Sequence, residues 1–298
     1  MSALHHVILD TDIGTDVDDL MALALIFGSP TIELLGVTTV YGDTVLRGRM
    51  TKRIAEIAGA PVPVHAGESE TLSGREIWWA GHEARLYDGL ERHALDGSDA
   101  VGHLVETVCA APGTVDVIAI GPLTNIAAAI ERDPRFAGAI RHLWVMGGSF
   151  SDADEPEHNF RSDATAAEIV FSAGIPTTVA GLEITRLITM GGDALARMSA
   201  AGELGRVIDA EIRQWWEFWG TAWNVPHDPV TVLTLTQPEL FAYSPTGRIE
   251  ILRGGESEGV SRFHPGAGET RIVTGLDAAA VAESIVVGIV DAAVGARA

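Results

Sequence analysis

The feature that most constrains this chain is a run of carboxylates directly after a short apolar segment. The run VILDTDIGTDVDD occupies residues 7–19 and contains five aspartates: Asp10, Asp12, Asp16, Asp18 and Asp19. An apolar segment followed by such a turn predicts a buried strand that ends there and a helix that begins there. Helix capping and the helix dipole would explain one aspartate, because both act only through the first turn. Five carboxylates this close repel one another, so the sequence predicts a divalent metal with oxygen ligands.

Short apolar, β-branched segments recur along the chain, each followed by polar or glycine residues and then an alanine-rich helical pattern. These segments are residues 6–9, 34–40, 115–120, 142–146 and 176–180. Because they are continuously apolar rather than alternating, we expect strands that are buried on both faces. The sequence therefore predicts an α/β fold with an open, mostly parallel twisted sheet flanked by helices. Ligands of such folds bind at the carboxyl ends of the strands.

The remaining segments complete this outline. Residues 66–98 contain tryptophan, histidine and glycine without a clear period, which predicts a long loop beside the site or over it. RIEIL at 248–252 and TRIV at 270–273 predict short strands, for which antiparallel pairing stays open. The segment SIVVGIVDAAVGA is too short to span a membrane and is interrupted by Asp291, so it predicts a core-facing terminal helix. We expect residues 1–298 to form one domain.

Charge and cysteine content restrict the partners and the location. The chain has 41 acidic and 20 basic residues, a formal charge of −21, and we see no basic patch. Such a surface repels phosphate backbones and anionic membranes, so neither nucleic acid nor a membrane is an expected partner. A single cysteine, Cys109, excludes an internal disulfide framework, and the first residues lack the pattern of a secretion signal. We therefore expect a cytoplasmic protein.

Polar side chains also follow other apolar segments, in the runs Tyr41-Gly42-Asp43, Glu157-His158-Asn159 and His227-Asp228-Pro229. In an extended segment, Glu157 and Asn159 would point the same way, as needed to hold adjacent hydroxyl groups of a polyol. Asp228 followed by Pro229 is also the pattern of a helix cap with proline in the first turn. That interpretation does not exclude a role in ligand binding.

Taken in order, these motifs resemble those of the inosine-uridine-preferring nucleoside N-ribohydrolases. That family begins with a signature of the form DxDPGxDD, which Asp10, Asp12, Gly14 and the pair Asp18-Asp19 match. Here Ile13 replaces the proline, and two extra residues separate the glycine from the acidic pair. Further matches are GPLTNIA at 121–127, MGG at 146–148, the pair Glu157 and Asn159, and His227-Asp228-Pro229.

The resemblance implies a Rossmann-like nucleoside hydrolase fold and calcium-dependent hydrolysis of ribonucleosides to nucleobase and ribose. The implied Ca²⁺ ligands are Asp12, Asp19, Asp228 and the backbone carbonyl of Ile120. The implied substrate contacts are Asp18, Asp43, Glu157, Asn159 and Asp228. The resemblance also implies a homodimer or a homotetramer that binds a small-molecule nucleoside.

Chemical roles follow from the reaction. Cleavage of an N-glycosidic bond leaves an oxocarbenium-like sugar, which nearby carboxylates stabilise. Asp12 is the expected general base toward water, and His227 the expected proton donor to the leaving base, because histidine titrates near neutrality. His82 is a candidate substrate contact in the loop GHEARLYDG, which is loosely similar to a histidine- and glycine-rich loop of the family.

Aromatic residues give a weaker indication of where the nucleobase binds. Trp215, Trp219 and Trp223 recur at a spacing of four, which predicts one stripe of a helix. Such a stripe is more typical of core or subunit packing than of a ligand platform, so we expect most of these side chains to pack. Trp78 and Trp79 lie in the long loop near His82.

Two other functions stay open at this stage. Asp10-Thr11-Asp12 after a strand is also typical of an aspartyl-phosphate nucleophile in a magnesium-dependent phosphohydrolase. Against this, Gly14 stands where that motif needs threonine or valine, and the acidic pocket would repel a phosphoester. A calcium-dependent ribosyl-binding protein without turnover is the third possibility, because of the two-residue insertion before Asp18 and the change at Asp43.

Overall fold

Ten β-strands form one sheet in the computed structural model, which describes residues 4–151 and 153–295. The strands are β1 (His5–Thr11), β2 (Ile32–Thr39), β3 (Val64–Ala66), β4 (Val115–Ala119), β5 (His142–Met146), β6 (Thr177–Ala180), β7 (Phe241–Tyr243), β8 (Gly247–Ile251), β9 (Ser261–Pro265) and β10 (Thr270–Leu276). Their order across the sheet is β3-β2-β1-β4-β5-β6-β10-β8-β9, and β7 pairs with β10.

Helices connect these strands and cover the sheet. They are α1 (Asp18–Gly28), α2 (Thr44–Ala58), α3 (Ala100–Ala110), α4 (Thr124–Arg132), α5 (Phe136–Ala139), α6 (His158–Ser162), α7 (Ala164–Ser172), α8 (Leu182–Thr185), α9 (Gly192–Ala201), α10 (Glu203–Trp219), α11 (His227–Thr236) and α12 (Ala278–Gly295). Short 3-10 helices span Leu90–Arg92, Pro238–Leu240 and Gly255–Ser257.

The pairing of the strands confirms the predicted α/β class with an open, mostly parallel sheet. All neighbours from β3 to β10 in the sheet order pair in parallel. The strands predicted at 248–252 and 270–273 are β8 and β10, and they pair antiparallel. Three further strands were not predicted, because β3 and β7 have only three residues each and β9, with the sequence SRFHP, has no apolar run.

Each face of the sheet has its own core, which explains why the strands are continuously apolar. In β1, Val7 and Leu9 pack with side chains of α1, α11 and α12, whereas Ile8 packs on the opposite face with α3 and α4. All three side chains are fully buried. A strand buried on both faces needs apolar residues at every position, as the sequence predicted.

The order of the strands places the aspartate-rich run at a binding position. The chain moves outward from β1 through β2 to β3, and then returns to β4 on the other side of β1. In open α/β sheets, ligands bind outside the carboxyl ends of the strands at this switch point. The loop after β1, residues 12–17, and the loop after β4, residues 120–123, meet there.

Predictions for two other segments are confirmed. Residues 67–98 form a long loop apart from the 3-10 helix Leu90–Arg92. The last helix, α12, contacts α1 and α9 and buries Val281, Ile285 and Ile289 in the core. Its length and apolar composition alone would also suit a membrane span. In this structure α12 packs one face against the core, as the sequence predicted.

A buried guanidinium group holds the aspartate-rich loop from the inside. Arg47 lies in the first turn of α2 and is 1% exposed. Its Nε donates to the carbonyl oxygen of Tyr41 at 2.7 Å, and its Nη1 donates to that of Ile13 at 2.8 Å and to that of Asp12. The guanidinium carbon lies 4.7 Å from the centre of the Trp79 ring. Arg47 therefore satisfies buried carbonyl groups of the loops after β1 and β2.

Replacing Arg47 with methionine is expected to lower the free energy of unfolding by about 2–5 kcal/mol, because buried carbonyl groups lose a charged donor. Urea-induced unfolding measures this loss as a lower transition midpoint. The matched control is Arg49→Met in the same helix, where the half-buried side chain is expected to contribute less than about 0.5 kcal/mol. Equal losses in the two variants would contradict the structural role of Arg47.

Candidate active site

A cleft of about 650 Å³ opens at the carboxyl ends of the central strands. Its volume is in the range of sites that bind small molecules. Most of the residues predicted for the site line this cleft, namely Asp12, Asp18, Asp19, Ile120, Glu157, Asn159, His227 and Asp228. They come from four separate segments of the chain, which the parallel sheet brings to one edge.

Three buried carboxylates form a compact acidic cluster in the cleft. Asp18 and Asp19 lie in the first turn of α1, and Asp228 lies in the first turn of α11. Each offers one oxygen such that the three atoms lie within 4.8 Å of one another. Thr11 Oγ1 donates to Asp19 Oδ1 at 2.5 Å, and the backbone N–H of Asp228 donates to Asp18 Oδ2 at 3.3 Å. Helix termini and hydrogen bonds thus hold the cluster in place.

The electrostatics of this cluster favour a bound cation. Burial, with repulsion between the neighbouring carboxylates, raises the pKa values of Asp18, Asp19 and Asp228 well above their usual range. The positive charge of Arg47 lowers the pKa of Asp19 but offsets this only in part. Carboxylate oxygens are the preferred ligands of hard divalent cations. The residues of the cluster therefore fit a divalent metal ion.

Asp12 lines the same cleft, although it is not a member of the three-carboxylate group among the described residues. It is buried, and burial raises the pKa of its carboxyl group, while the positive charge of Arg47 opposes that shift. Asp10 lies behind it, where Oδ1 accepts hydrogen bonds from Thr38 at 2.5 Å and from Asn125 at 2.7 Å. Asp10 thus ties the first strand to GPLTN at 121–125, and it does not line the cleft.

Glu157 and Asn159 are both buried in the cleft, but the predicted extended segment is wrong. Residues 158–162 form helix α6, and the Glu157 side chain caps it by accepting from the backbone N–H groups of Asn159 and Phe160. Asn159 Nδ2 donates to the carbonyl oxygen of Ile120 at 2.8 Å. The Ile120 carbonyl predicted as a metal ligand therefore lies beside Asn159, at the end of β4.

His227 lies in the cleft at the start of α11, where its Nδ1 is 2.7 Å from Thr185 Oγ1. The expectation that it titrates near neutrality is wrong. Burial, together with the positive charge of Arg186, lowers the pKa of His227 to about 4. The ring is therefore neutral at pH 7 and can donate one hydrogen bond, but it is not charged as an imidazolium acid would be.

The structure does not bring two predicted contact residues into the cleft. Asp43 is exposed, and its carboxylate caps α2 by accepting from the backbone N–H of Leu46 at 2.9 Å. His82 is buried behind the loop after β1, with Nε2 2.9 Å from the carbonyl oxygen of Thr15. Its ring is edge-on to Trp215 and Phe218. Asp43 is therefore a helix cap, and His82 packs between the loop and α10.

The predicted tryptophan stripe is present only in part, because Trp215 and Trp219 lie on α10 with ring centres 5.7 Å apart, whereas Trp223 does not lie on this helix. Helix α10 ends at Trp219, because Gly220 adopts a left-handed conformation with φ of 67° and reverses the chain. Trp223 lies beyond the helix and is half exposed. Trp215 packs against the core as expected, but it also lines the cleft, together with Trp219 and with Trp78 of the long loop. Together they form an aromatic wall in the cleft.

Sequence reasoning gave no role to several side chains around the site, although it named His158 within the run Glu157-His158-Asn159. His158 lines the cleft between Glu157 and Asn159, with its ring centre 6.0 Å from that of Tyr41 and 5.9 Å from that of Trp78. Its position inside the E-x-N motif was the signal that could have identified it. Arg47 and Thr185 carry no such signal, because their roles depend on contacts that the local sequence does not encode.

Comparisons with known proteins agree with this geometry. Residues 7–283 match the family model described as inosine-uridine preferring nucleoside hydrolase. The chain is 32% identical over 278 residues to probable uridine nucleosidase 1 of Oryza sativa subsp. japonica, covering 87% of this chain and 83% of that protein. It is 34% identical to uridine nucleosidase 1 of Arabidopsis thaliana, covering 80% and 75% of the two chains.

The fold comparison gives the same result. A solved plant nucleoside hydrolase superposes with a TM-score of 0.86 at 26% sequence identity, covering 96% of this chain and 98% of that one. The match therefore includes nearly the whole chain. The chain belongs to the inosine-uridine preferring nucleoside hydrolase family, whose characterised activity is that of an N-glycosyl hydrolase.

Proposed function

We propose that this protein hydrolyses the N-glycosidic bond of ribonucleosides in a calcium-dependent reaction, and that uridine is one of its substrates. The observation that carries this proposal is the group of Asp18, Asp19 and Asp228 oxygens within 4.8 Å of one another at the base of the cleft. The choice of uridine is supported by the names of the rice and Arabidopsis relatives, which are uridine nucleosidases.

The proposed ion site consists of Asp12, Asp19, Asp228 and the carbonyl oxygen of Ile120, all of which line the cleft. All four ligands are oxygens, and three of them are carboxylates. Calcium accepts six to eight oxygen ligands in flexible geometry, whereas magnesium is usually held by one or two carboxylates and several waters. When bound, the ion supplies positive charge that binds vicinal hydroxyl groups and makes water more acidic.

Buried side chains around this site are proposed to hold the ribose. Asp18, Glu157 and Asn159 line the cleft and are each less than a tenth exposed. The oxygens of Glu157 already accept backbone hydrogen bonds, but a carboxylate has further lone pairs for a sugar hydroxyl. Because these side chains are fixed by their own hydrogen bonds, they would orient the sugar without losing much conformational freedom.

Asp12 is the proposed general base. It accepts the proton of the attacking water, whose oxygen forms the new bond to C1′ of the ribose. The bond between C1′ and the base nitrogen breaks, and its electron pair leaves with the base. The surrounding carboxylates stabilise the oxocarbenium character that develops on the sugar. His227 is proposed to donate a hydrogen bond to the departing base.

The aromatic wall of Trp78, Trp215 and Trp219 is the proposed contact surface for the nucleobase. Planar bases stack on aromatic rings, and such contacts tolerate different bases. Trp219 is 57% exposed, so a ligand would cover apolar surface that now faces solvent.

We also propose that the protein is a single-domain cytoplasmic homodimer or homotetramer. The single cysteine suits a reducing compartment. Exposed Trp223 and Leu187 supply apolar surface of the kind that subunit contacts cover.

Incubation with uridine is expected to release ribose and uracil, and a calcium chelator is expected to abolish the release until calcium is restored.

Asp12→Asn is expected to lower kcat by about 100-fold or more, because the general base is lost. The matched control is Asp43→Asn, which changes a carboxylate outside the cleft and is expected to keep the rate within about twofold. Ribose is measured directly as reducing sugar.

Other outcomes of this experiment would contradict the proposal. Turnover that is insensitive to chelation would exclude the calcium site. Calcium-dependent ribose binding without turnover would indicate a ribosyl-binding protein. Release of phosphate from a generic phosphate ester, without ribose from nucleosides, would indicate the magnesium-dependent phosphohydrolase.

His227→Ala is expected to reduce kcat on uridine by about 100-fold, because the leaving base loses a hydrogen-bond donor. On a 4-nitrophenyl riboside, whose leaving group is stable without such help, the loss is expected to stay below about threefold. Steady-state rates with both substrates at saturating calcium measure the difference. Similar losses on the two substrates would argue against a role of His227 at the leaving group.

A further inference from the structure

The hydroxyl group of Thr185 lies directly behind the histidine of the cleft. Thr185 ends helix α8, which follows β6 after a single residue, and its side chain is fully buried. Its Oγ1 is 2.7 Å from Nδ1 of His227, the first residue of α11. This contact joins the end of a central strand to the helix that carries Asp228 of the acidic cluster.

The distances around Thr185 indicate which of two acceptors its hydroxyl proton binds. Among the residues that the structure describes, the other acceptor of the Thr185 hydroxyl is the carbonyl oxygen of Leu182, at 3.4 Å. Hydroxyl donors normally lie 2.5–3.0 Å from their acceptors, so the contact with Leu182 is a poor one. That carbonyl already accepts the backbone N–H of Arg186 at 3.0 Å. Nδ1 of His227, at 2.7 Å, is therefore the better acceptor for this hydroxyl proton.

Thr234 shows what a buried threonine does in this protein when it has only a structural role. It lies in α11, the same helix as His227, and its Oγ1 donates to the carbonyl oxygen of Thr231 at 2.6 Å. Bonds of this kind to a preceding turn are common for threonine in helices. The bond of this kind that Thr185 forms, to Leu182, is long. Its hydroxyl group lies closer to the imidazole ring of His227.

We propose that Thr185 is a positioning residue that holds His227 in the tautomer with its proton on Nε2. A neutral imidazole has one N–H, so when Nδ1 accepts the threonine hydroxyl, Nε2 must be the donor. Nε2 forms no hydrogen bond to any residue within 4–151 and 153–295. His227 therefore meets the substrate in the cleft as a donor and not as an acceptor.

This inference rests on the proposed function. It states which partner donates the hydrogen bond between His227 and the leaving base. As the C1′–N bond breaks, the base leaves with the electron pair and becomes more negative. A hydrogen bond from Nε2–H stabilises that charge while the proton stays on the imidazole. The anionic base later gains its proton from solvent, which balances the proton that the attacking water loses.

The test compares Thr185→Val, which keeps the shape but removes the hydroxyl, with Thr185→Ser, which keeps the hydroxyl. For Thr185→Val, kcat on uridine is expected to fall by about 10-fold to 100-fold with little change in KM, and on a 4-nitrophenyl riboside by less than about threefold. Thr185→Ser is expected to restore most of the rate on uridine. Thr234→Val, which removes a buried hydroxyl from α11, is the matched control and is expected to lower both rates equally or not at all.

A spectroscopic measurement tests the tautomer without activity. In protein labelled with ¹⁵N-histidine, two-bond ¹H–¹⁵N correlations show which ring nitrogen carries the proton, and the His227→Ala spectrum assigns the signal. The wild type is expected to have its proton on Nε2, and Thr185→Val is expected to show the other tautomer or a mixture. A wild-type proton on Nδ1 would overturn the proposal, even if Thr185→Val does not fold.

The two kinds of failure can be distinguished. If the wild type releases no ribose from any nucleoside, the proposed function is wrong, but the spectra still decide whether Thr185 holds the tautomer. If the wild type is active, the proposal about Thr185 is overturned in either of two cases: equal losses of Thr185→Val on both substrates, or failure of Thr185→Ser to restore the rate.

Discussion

Repulsion between buried carboxylates at one edge of the sheet is the constraint on which the candidate site depends. Asp18, Asp19 and Asp228 each offer an oxygen within 4.8 Å of the other two in a buried setting, where burial and neighbouring carboxylates raise all three pKa values. Such an arrangement costs free energy unless a cation offsets the charge. The fixed positive charge of Arg47 lies behind the acidic loop, where it binds the loop backbone and leaves the carboxylate oxygens facing the cleft. A bound divalent cation would neutralise the remaining negative charge of these carboxylates.

The strand order explains how distant residues reach this position. The switch between β1 and β4 brings the aspartate-rich loop beside Ile120, and α6 and α11 add Glu157, Asn159 and Asp228 from later in the chain. Backbone contacts and helix termini hold these groups, so the site needs little rearrangement to receive a sugar. The neutral His227 fits the same picture, because a preorganised hydrogen-bond donor can stabilise a leaving base without changing its own charge.

Much of the fold was predictable from the sequence, because strands buried on both faces have an unmistakable continuous apolar pattern. The aspartate-rich run and its position after the first strand were equally visible. Contacts between distant segments were not: Arg47 looks like the other arginines of its helix, and Asp43 follows a strand as a ligand would, yet it caps α2. The tryptophan period continued through Gly220, where a left-handed residue ended the helix. Local periodicity predicts elements, whereas the site depends on how those elements meet.

The most direct test of the account is a crystal structure of the protein soaked in calcium, with anomalous scattering used to locate the ion. One strong anomalous peak is expected in the cleft, about 2.3–2.6 Å from oxygens of Asp19 and Asp228. Well-ordered crystals in millimolar calcium that show these carboxylates apart, with no ion between them, would contradict it.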